Sequence, residues 1–191
     1  MQAIAIYCGS LIGQHDIYAE QARLVGKTLA QQNITLVYGG GHVGLMGEVA
    51  NACLAAGGKV VGVMTKHLVD KEIAHKHLTE LYVVENMHQR KQKMADLADG
   101  FIALAGGAGT MEEMFEQWTW AQIGIHQKPC AFLNTLNYYD DLFKFIQHMA
   151  NESFLKQDYA DMLIKSDDIE EIIQIFRTYH APASKWDKPL K

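Results

Sequence analysis

Short apolar runs alternate with longer amphipathic stretches along this chain. Residues 3–7, 34–38, 60–63, 81–84, 101–104 and 130–133 are nearly continuous apolar runs, as expected of parallel strands covered on both faces. Between them, 17–31, 44–56, 87–96, 111–123 and 138–149 carry helical periodicity. A last helix is expected over 168–179, with Ser166 or Asp167 supplying its cap. This alternation predicts an α/β fold: a Rossmann-like, doubly wound parallel sheet with helices on both faces. No repeat, low-complexity tract or linker interrupts it, so residues 1–180 are expected to form a single domain. The stretch 181–191 is polar, holds Pro182 and Pro189, and is expected to fray.

Composition narrows the function classes. The 191 residues are 49% apolar and 20% charged, enough for one continuous core without disulfides or metal staples. Seventeen Lys+Arg against 22 Asp+Glu give a formal charge of -5, which argues against a general nucleic-acid binder. No run reaches the roughly 18 apolar residues of a membrane span, and the first residues lack a basic signal-peptide region. Cys8, Cys53 and Cys130 are far apart and form no CxxC pair. They read as small buried hydrophobes in a reducing, cytoplasmic setting rather than a disulfide frame or zinc site.

In doubly wound sheets ligands bind beyond the carboxyl ends of the strands, and three of the turns expected there are glycine-bearing. They are Cys8-Gly9-Ser10, Gly39-Gly40-Gly41-His42-Val43-Gly44, and Gly106-Gly107-Ala108-Gly109-Thr110. Bare backbone amides at a helix start cradle an anion, so three such turns together favour a phosphorylated small ligand over mere tight turning. The 39–44 segment satisfies G-x-G-x-x-G, but it follows the second strand and no acid occurs between Glu48 and Asp70 to hold a ribose. NAD is therefore weakly supported. No Gly-Lys-Ser/Thr follows either loop, which argues against a P-loop NTPase.

Two charged positions draw attention beside the third turn. Met87, Arg90, Met94 and Leu97 share a helical face, so Arg90 interrupts an apolar stripe. It must snorkel outward, pair with a neighbouring acid, or meet a phosphate. Lys91 beside it serves a phosphate or solvent. In the next helix Met111, Met114, Phe115, Trp118 and Ala121 form the expected core stripe, with Glu112, Glu116 and Gln117 away from it. Thr110 and Glu113 fit a T-x-x-E capping box; alternatively, Glu113 projects into the site made by the glycine turn. A carboxylate at the mouth of a phosphate loop repels the ligand, so placing one there suggests that it acts on developing positive charge.

The run Gly106-Gly107-Ala108-Gly109-Thr110-Met111-Glu112-Glu113 resembles the PGGxGTxxE signature of the LOG (Lonely Guy) family, cytokinin riboside 5′-monophosphate phosphoribohydrolases formerly labelled lysine decarboxylases. The likeness extends through Cys8-Gly-Ser10, Tyr38-Gly-Gly-Gly41, Gly44-Leu-Met-Gly47, Met87-His-Gln-Arg-Lys91, Trp120-Ala-Gln-Ile-Gly124, Lys128-Pro129 and Asn137-Tyr-Tyr-Asp140. It implies hydrolysis of the N-glycosidic bond of an adenosine 5′-monophosphate, with Arg90 and Glu113 as the catalytic pair. It also implies substrate contacts from Glu72, Lys91, Thr119 and the stretch Gly106, Gly107, Ala108, Gly109, Thr110, Met111 and Glu112. Gly9, Ser10, Gly40, Gly41 and His88 are further candidates. At least a homodimer, with its sites near the subunit interface and a larger assembly left open, is implied, and no cofactor, metal, nucleic-acid or membrane partner is expected. Ala105 and Met64 stand where the family often has proline; neither change removes a ligand, though the second bears on the loop holding Glu72.

Two rivals remain at this level: a non-catalytic nucleotide or cofactor carrier of the same fold, and a PLP-dependent decarboxylase, for which no Schiff-base arrangement is recognisable. His75-Lys-His77 reads as exposed loop rather than a metal site. His42 lies beside the expected site, and Trp120 lines either a base pocket or a dimer contact.

Overall fold

The computed structural model describes residues 1–71 and 74–185. Seven strands, Ala3–Tyr7 (β1), Thr35–Tyr38 (β2), Val60–Thr65 (β3), Glu80–Val84 (β4), Phe101–Ala103 (β5), Cys130–Leu133 (β6) and Leu163–Ser166 (β7), form one sheet in the order β4-β3-β2-β1-β5-β6-β7. Every pairing is parallel. The helices of the described residues are Ile17–Gln31 (α1), Gly44–Ala55 (α2), Lys66–Asp70 (α3), Met87–Leu97 (α4), Ala108–Gln122 (α5), Asp140–Asn151 (α6), Gln157–Ala160 (α7) and Ile169–Thr178 (α8).

The chain winds outward from β1 in both directions, so the switch point falls between β1 and β5. Right-handed crossovers in opposite directions must use opposite faces of the sheet. Accordingly α1, α2 and α8 pack on one face, where Val25, Leu29, Val49, Ile172 and Phe176 meet Ile4, Ile6 and Leu36. Helices α4, α5 and α6 cover the other, where Met94, Met114, Trp118 and Ile146 meet Tyr7, Phe101 and Phe132. β1, β3, β5 and β6 are buried throughout, whereas the edge strand β4 alternates between exposed and half-buried positions.

Six of the strands and the six long helices lie within a few residues of where periodicity puts them. Three elements were not legible. β7 has only Leu163 and Ile164 as an apolar signal before Lys165 and Ser166, and the edge position suffices to make it a strand. Helices α3 and α7, of 5 and 4 residues, are too short to show a period. The cap of α8 also differs from expectation: Asp168 caps it by accepting from Glu170 N–H at 2.8 Å. Ser166 Oγ instead accepts from Asp168 N–H, one step upstream.

Gly26 sets how closely α1 and α2 approach. A Cβ there would overlap Val49 O and lie 2.9 Å from Cys53 N, both backbone atoms of α2. Neither can yield without moving a helix. Gly26→Ala is therefore expected to destabilise the fold by about 1–3 kcal/mol through overpacking, read as a lowered urea midpoint at unchanged slope.

Candidate active site

The site begins with a helix cap. Asn86 is extended, and its side chain accepts from Gln89 N–H at 2.9 Å, starting α4 just past β4. One turn later Arg90 points under the helix, with Lys91, Met94 and Ala95 completing the buried face. That face is rotated from the expected stripe: Met87 is exposed, and Lys91 takes an inward place. The reason is charge pairing, since α5 offers carboxylates to both cations.

Arg90 Nη1 donates to Glu113 Oε1 at 3.0 Å, and the two side chains are only 9% and 14% exposed. Arg90 Nε donates to Val63 O at the carboxyl end of β3, at 2.9 Å. The guanidinium rests against the 39–41 turn so closely that a Cβ on Gly39 would overlap Nη2. Lys91 Nζ donates to Glu116 Oε1 at 3.0 Å and also to Glu112. Of the readings open for Arg90, the ion pair to an acid is the one realised.

The T-x-x-E capping box does not form. α5 starts three residues earlier, with Gly107 extended at its N-cap and Ala108 and Gly109 already helical. Thr110 is therefore buried inside the first turn, packed beneath Gly106, and Glu113 is freed for Arg90. Glycines at the helix start tolerate the extra turn and leave their amides bare. Gly107, Ala108 and Gly109 are exposed, and a Cβ on Gly107 or Gly109 would meet nothing within 4 Å. The first turn of α5 thus presents open N–H groups at the positive end of a 15-residue helix.

A cleft of about 260 Å³ opens beside this turn at the β1–β5 switch point. Gly9, Ser10, Gly106 and Gly107 line it together with Leu11, Leu45 and Tyr138. Tyr138 Oη donates to Gly106 O at 2.7 Å, and Ala105 O accepts from Gly9 N–H at 3.0 Å, so the two turns brace each other. Gly40, at φ +81°, and Gly41 form the turn behind Arg90.

Burial and charge act differently on the ionisable groups of the site. Burial pushes the Glu113 carboxyl upward, opposed by the charge and hydrogen bond of Arg90, and the net direction is above the ordinary carboxylate value of 4.5. Burial pulls Lys91 down, but its bonds to Glu112 and Glu116 outweigh this and hold it protonated above 10.5. Tyr7, beneath the pair, is raised by burial and by Glu113 and keeps its proton.

Several expected residues stand elsewhere. Thr119 is exposed near the far end of α5, roughly 13 Å along the axis from Thr110, and one copy of the chain does not bring it to the turn. His88 is exposed and, with Trp120 and Glu116, lines a groove between α4 and α5. Met111 is half-buried and Glu112 exposed at the start of α5, and Glu72 lies outside the described residues. Gln117 is fully buried rather than away from the core, because α5 is covered on more than one side. His75 is buried too, while His77 is exposed as expected. Among the described residues no three His, Cys, Asp or Glu side chains gather as a metal site. Sequence reasoning missed Val63 O, which as a backbone atom carries no sequence signal, and Glu116, one turn beyond Glu112 on the face toward Lys91.

A doubly wound sheet with bare glycine turns and a buried cation–carboxylate pair at its carboxyl edge defines a Rossmann-like protein with a cleft at the switch point. The chain belongs to the LOG family, whose model, described as possible lysine decarboxylase, matches residues 46–176. It is 45% identical over 178 residues to the cytokinin riboside 5′-monophosphate phosphoribohydrolase of Rhodococcoides fascians, covering 93% of this chain and 90% of that protein. It is 42% identical over 176 residues to the rice enzyme LOG of the same description, covering 92% and 73%. Among solved structures, the molybdenum cofactor carrier protein of Chlamydomonas reinhardtii shares the fold, with a TM-score of 0.71 at 19% identity over 93% of this chain and 96% of that one.

The pair makes opposite demands on two substitutions. Glu113→Ala leaves a buried guanidinium uncompensated and is expected to cost about 3–5 kcal/mol in thermal or denaturant unfolding. Glu113→Gln keeps an acceptor for Arg90 and is expected to cost distinctly less.

Proposed function

We propose that this protein hydrolyses the N-glycosidic bond of adenosine 5′-monophosphate, plain or N6-modified, releasing the free base and ribose 5-phosphate. The observation that carries the reading is the buried Arg90–Glu113 pair beside the open amides of α5, in a chain whose relatives are named phosphoribohydrolases.

Cleaving a ribosyl C–N bond builds positive charge on the sugar ring, as in glycoside hydrolysis. Glu113 is set to oppose that charge and to take a proton from the attacking water; a carboxyl raised above its ordinary value is better matched to that task. Arg90 fixes the carboxylate's position and balances its charge. The backbone amides of Gly107 to Thr110 hold the 5′-phosphate, since the Thr110 side chain is packed beneath Gly106. Binding the remote phosphate supplies energy that positions the reacting bond. Gly9 and Ser10 line the same cleft.

We read the working form as a homodimer, because the ligand position Thr119 and the groove holding His88 and Trp120 face outward in one copy. The three free, buried cysteines suit the reducing cytoplasm, where we place the protein. No described helix is long and apolar enough to cross a membrane. Decarboxylation through PLP does not fit: the lysine nearest the pair, Lys91, is pinned between two carboxylates and held protonated, the opposite of a Schiff-base nucleophile. The likeness to a cofactor carrier concerns the fold; a protein that only carries its ligand has no use for a buried ionised pair.

Chromatography of AMP and N6-isopentenyl-AMP digests tests the reading. Wild type is expected to release base, and Glu113→Gln to do so with kcat/KM lowered about 10²–10⁴-fold. AMP that binds without releasing base would establish the carrier reading. Because Glu113 acts ionised and its carboxyl titrates above 4.5, kcat/KM of the wild type is expected to fall on acidification with a midpoint above that value.

A further inference from the structure

The strap 74–79 that leads into β4 is fastened to the glycine turn behind Arg90. His75 N–H donates to Gly40 O at 2.9 Å, and Ala74 makes an antiparallel bridge with Gly41. The His75 side chain is 7% exposed and spans two elements. Its Nε2 lies 2.9 Å from Asn51 Oδ1 on α2, and its Nδ1 accepts from His77 N–H at 3.2 Å. A neutral imidazole carries one N–H; since Nδ1 accepts, Nε2 holds the proton and donates to Asn51. Both nitrogens are committed, which leaves no lone pair for a metal.

The same turn bears on the pair. Gly39, next to Gly40, lies against Arg90 Nη2 with no room for even a methyl group. The wall that fixes one side of the guanidinium is therefore tied through Gly40 and Gly41 to the strap, and through His75 to α2. The titratable groups facing the imidazole are His77 on the strap, ring to ring at 6.2 Å, and His42 on the turn.

We propose that neutral His75 is a positioning residue for Arg90, a clamp that holds the 39–41 turn in place and releases it when the imidazole is protonated. This deepens the reading of Arg90 and Glu113 given above and rests on it. A second proton on the ring must sit on Nδ1, opposite the His77 N–H, so two donors face each other and the bond that shapes the strap at 75–77 is lost, while the Nε2–H bond to Asn51 remains. The new charge also lies beside His42 and His77. Burial, followed by these two neighbours, lowers the pKa of His75 below 6.5, which keeps the clamp closed at neutral pH. The linkage has a definite sign. Below 6.5 the unfolded chain takes up a proton that the folded one resists, so stability falls with pH from that value down to the folded pKa.

Three variants and one spectrum test the clamp, after base release by wild type at neutral pH has tested the function itself. His75→Leu removes both side-chain ties and is expected to lower kcat/KM about tenfold, with the loss in kcat. His75→Asn, whose Oδ1 replaces Nδ1 as acceptor, recovers most of that activity. Glu113 contributes an acid limb to every variant, so the decisive reading is the ratio of His75→Asn to wild type. That ratio is expected to rise on acidification through the imidazole's pKa and to level off at about tenfold, the loss expected of His75→Leu. Asn51→Ala removes the acceptor of Nε2–H, whose bond is stronger to the charged ring, and is expected to shift the rise to lower pH. NMR titration of the His75 ring in wild type is expected to show the Nε2–H tautomer at neutral pH and a midpoint below 6.5. A ratio independent of pH, or a His75 midpoint at or above 6.5, overturns the proposal even if base release is confirmed.

Discussion

A guanidinium and a carboxylate taken out of water at the carboxyl edge of a parallel sheet set the terms for the rest of this structure. Burying either charge alone would cost several kcal/mol, of order, and their mutual attraction repays this only with good geometry and further hydrogen bonds. The fold supplies both: Glu113 meets Arg90 at 3.0 Å, and Val63 O takes the guanidinium's Nε–H. Such pairs add little to stability when weighed against a packed apolar pair of the same size. Keeping one in a cleft beside open helix amides is consistent with chemistry rather than with folding.

The topology explains why these two side chains meet. α4 carries Arg90 into β5 and α5 carries Glu113 away from it, so the two helices are neighbours on one face of the sheet. β5 lies beside β1, where the winding direction reverses and the turns part to leave a crevice. Glycines complete the arrangement at opposite sides of the pair. Gly39 lets the guanidinium lie against the β2 turn, and the glycines at 106, 107 and 109 let α5 begin early and leave its first amides bare. Lys91, buried between the same two helices, ties them together by bridging Glu112 and Glu116.

Much of this was legible in the sequence. Near-continuous apolar runs of four or five residues separated by amphipathic stretches led to the parallel sheet, and an arginine on an apolar stripe marked Arg90 as a residue that needed a partner. The partner was in view, with local spacing leaving two readings of it open. Thr110 and Glu113 satisfy a capping box, and nothing in the spacing reveals that glycines let the helix start at Ala108 instead. Tertiary contacts likewise decided Gln117 and His75, two polar side chains that are buried because a second element covers each. Short edge elements such as β7 carried too few apolar residues to be read.

A double-mutant cycle on the pair tests the central claim most directly. Base release from AMP would be followed in Arg90→Met, Glu113→Gln and the double variant, each first shown to be folded. If the two side chains work as one unit, the double variant is no slower than the slower single variant, because either change alone already disables the other partner. Losses that multiply would mean that Arg90 and Glu113 act independently, and the buried ion pair would then be incidental to the chemistry.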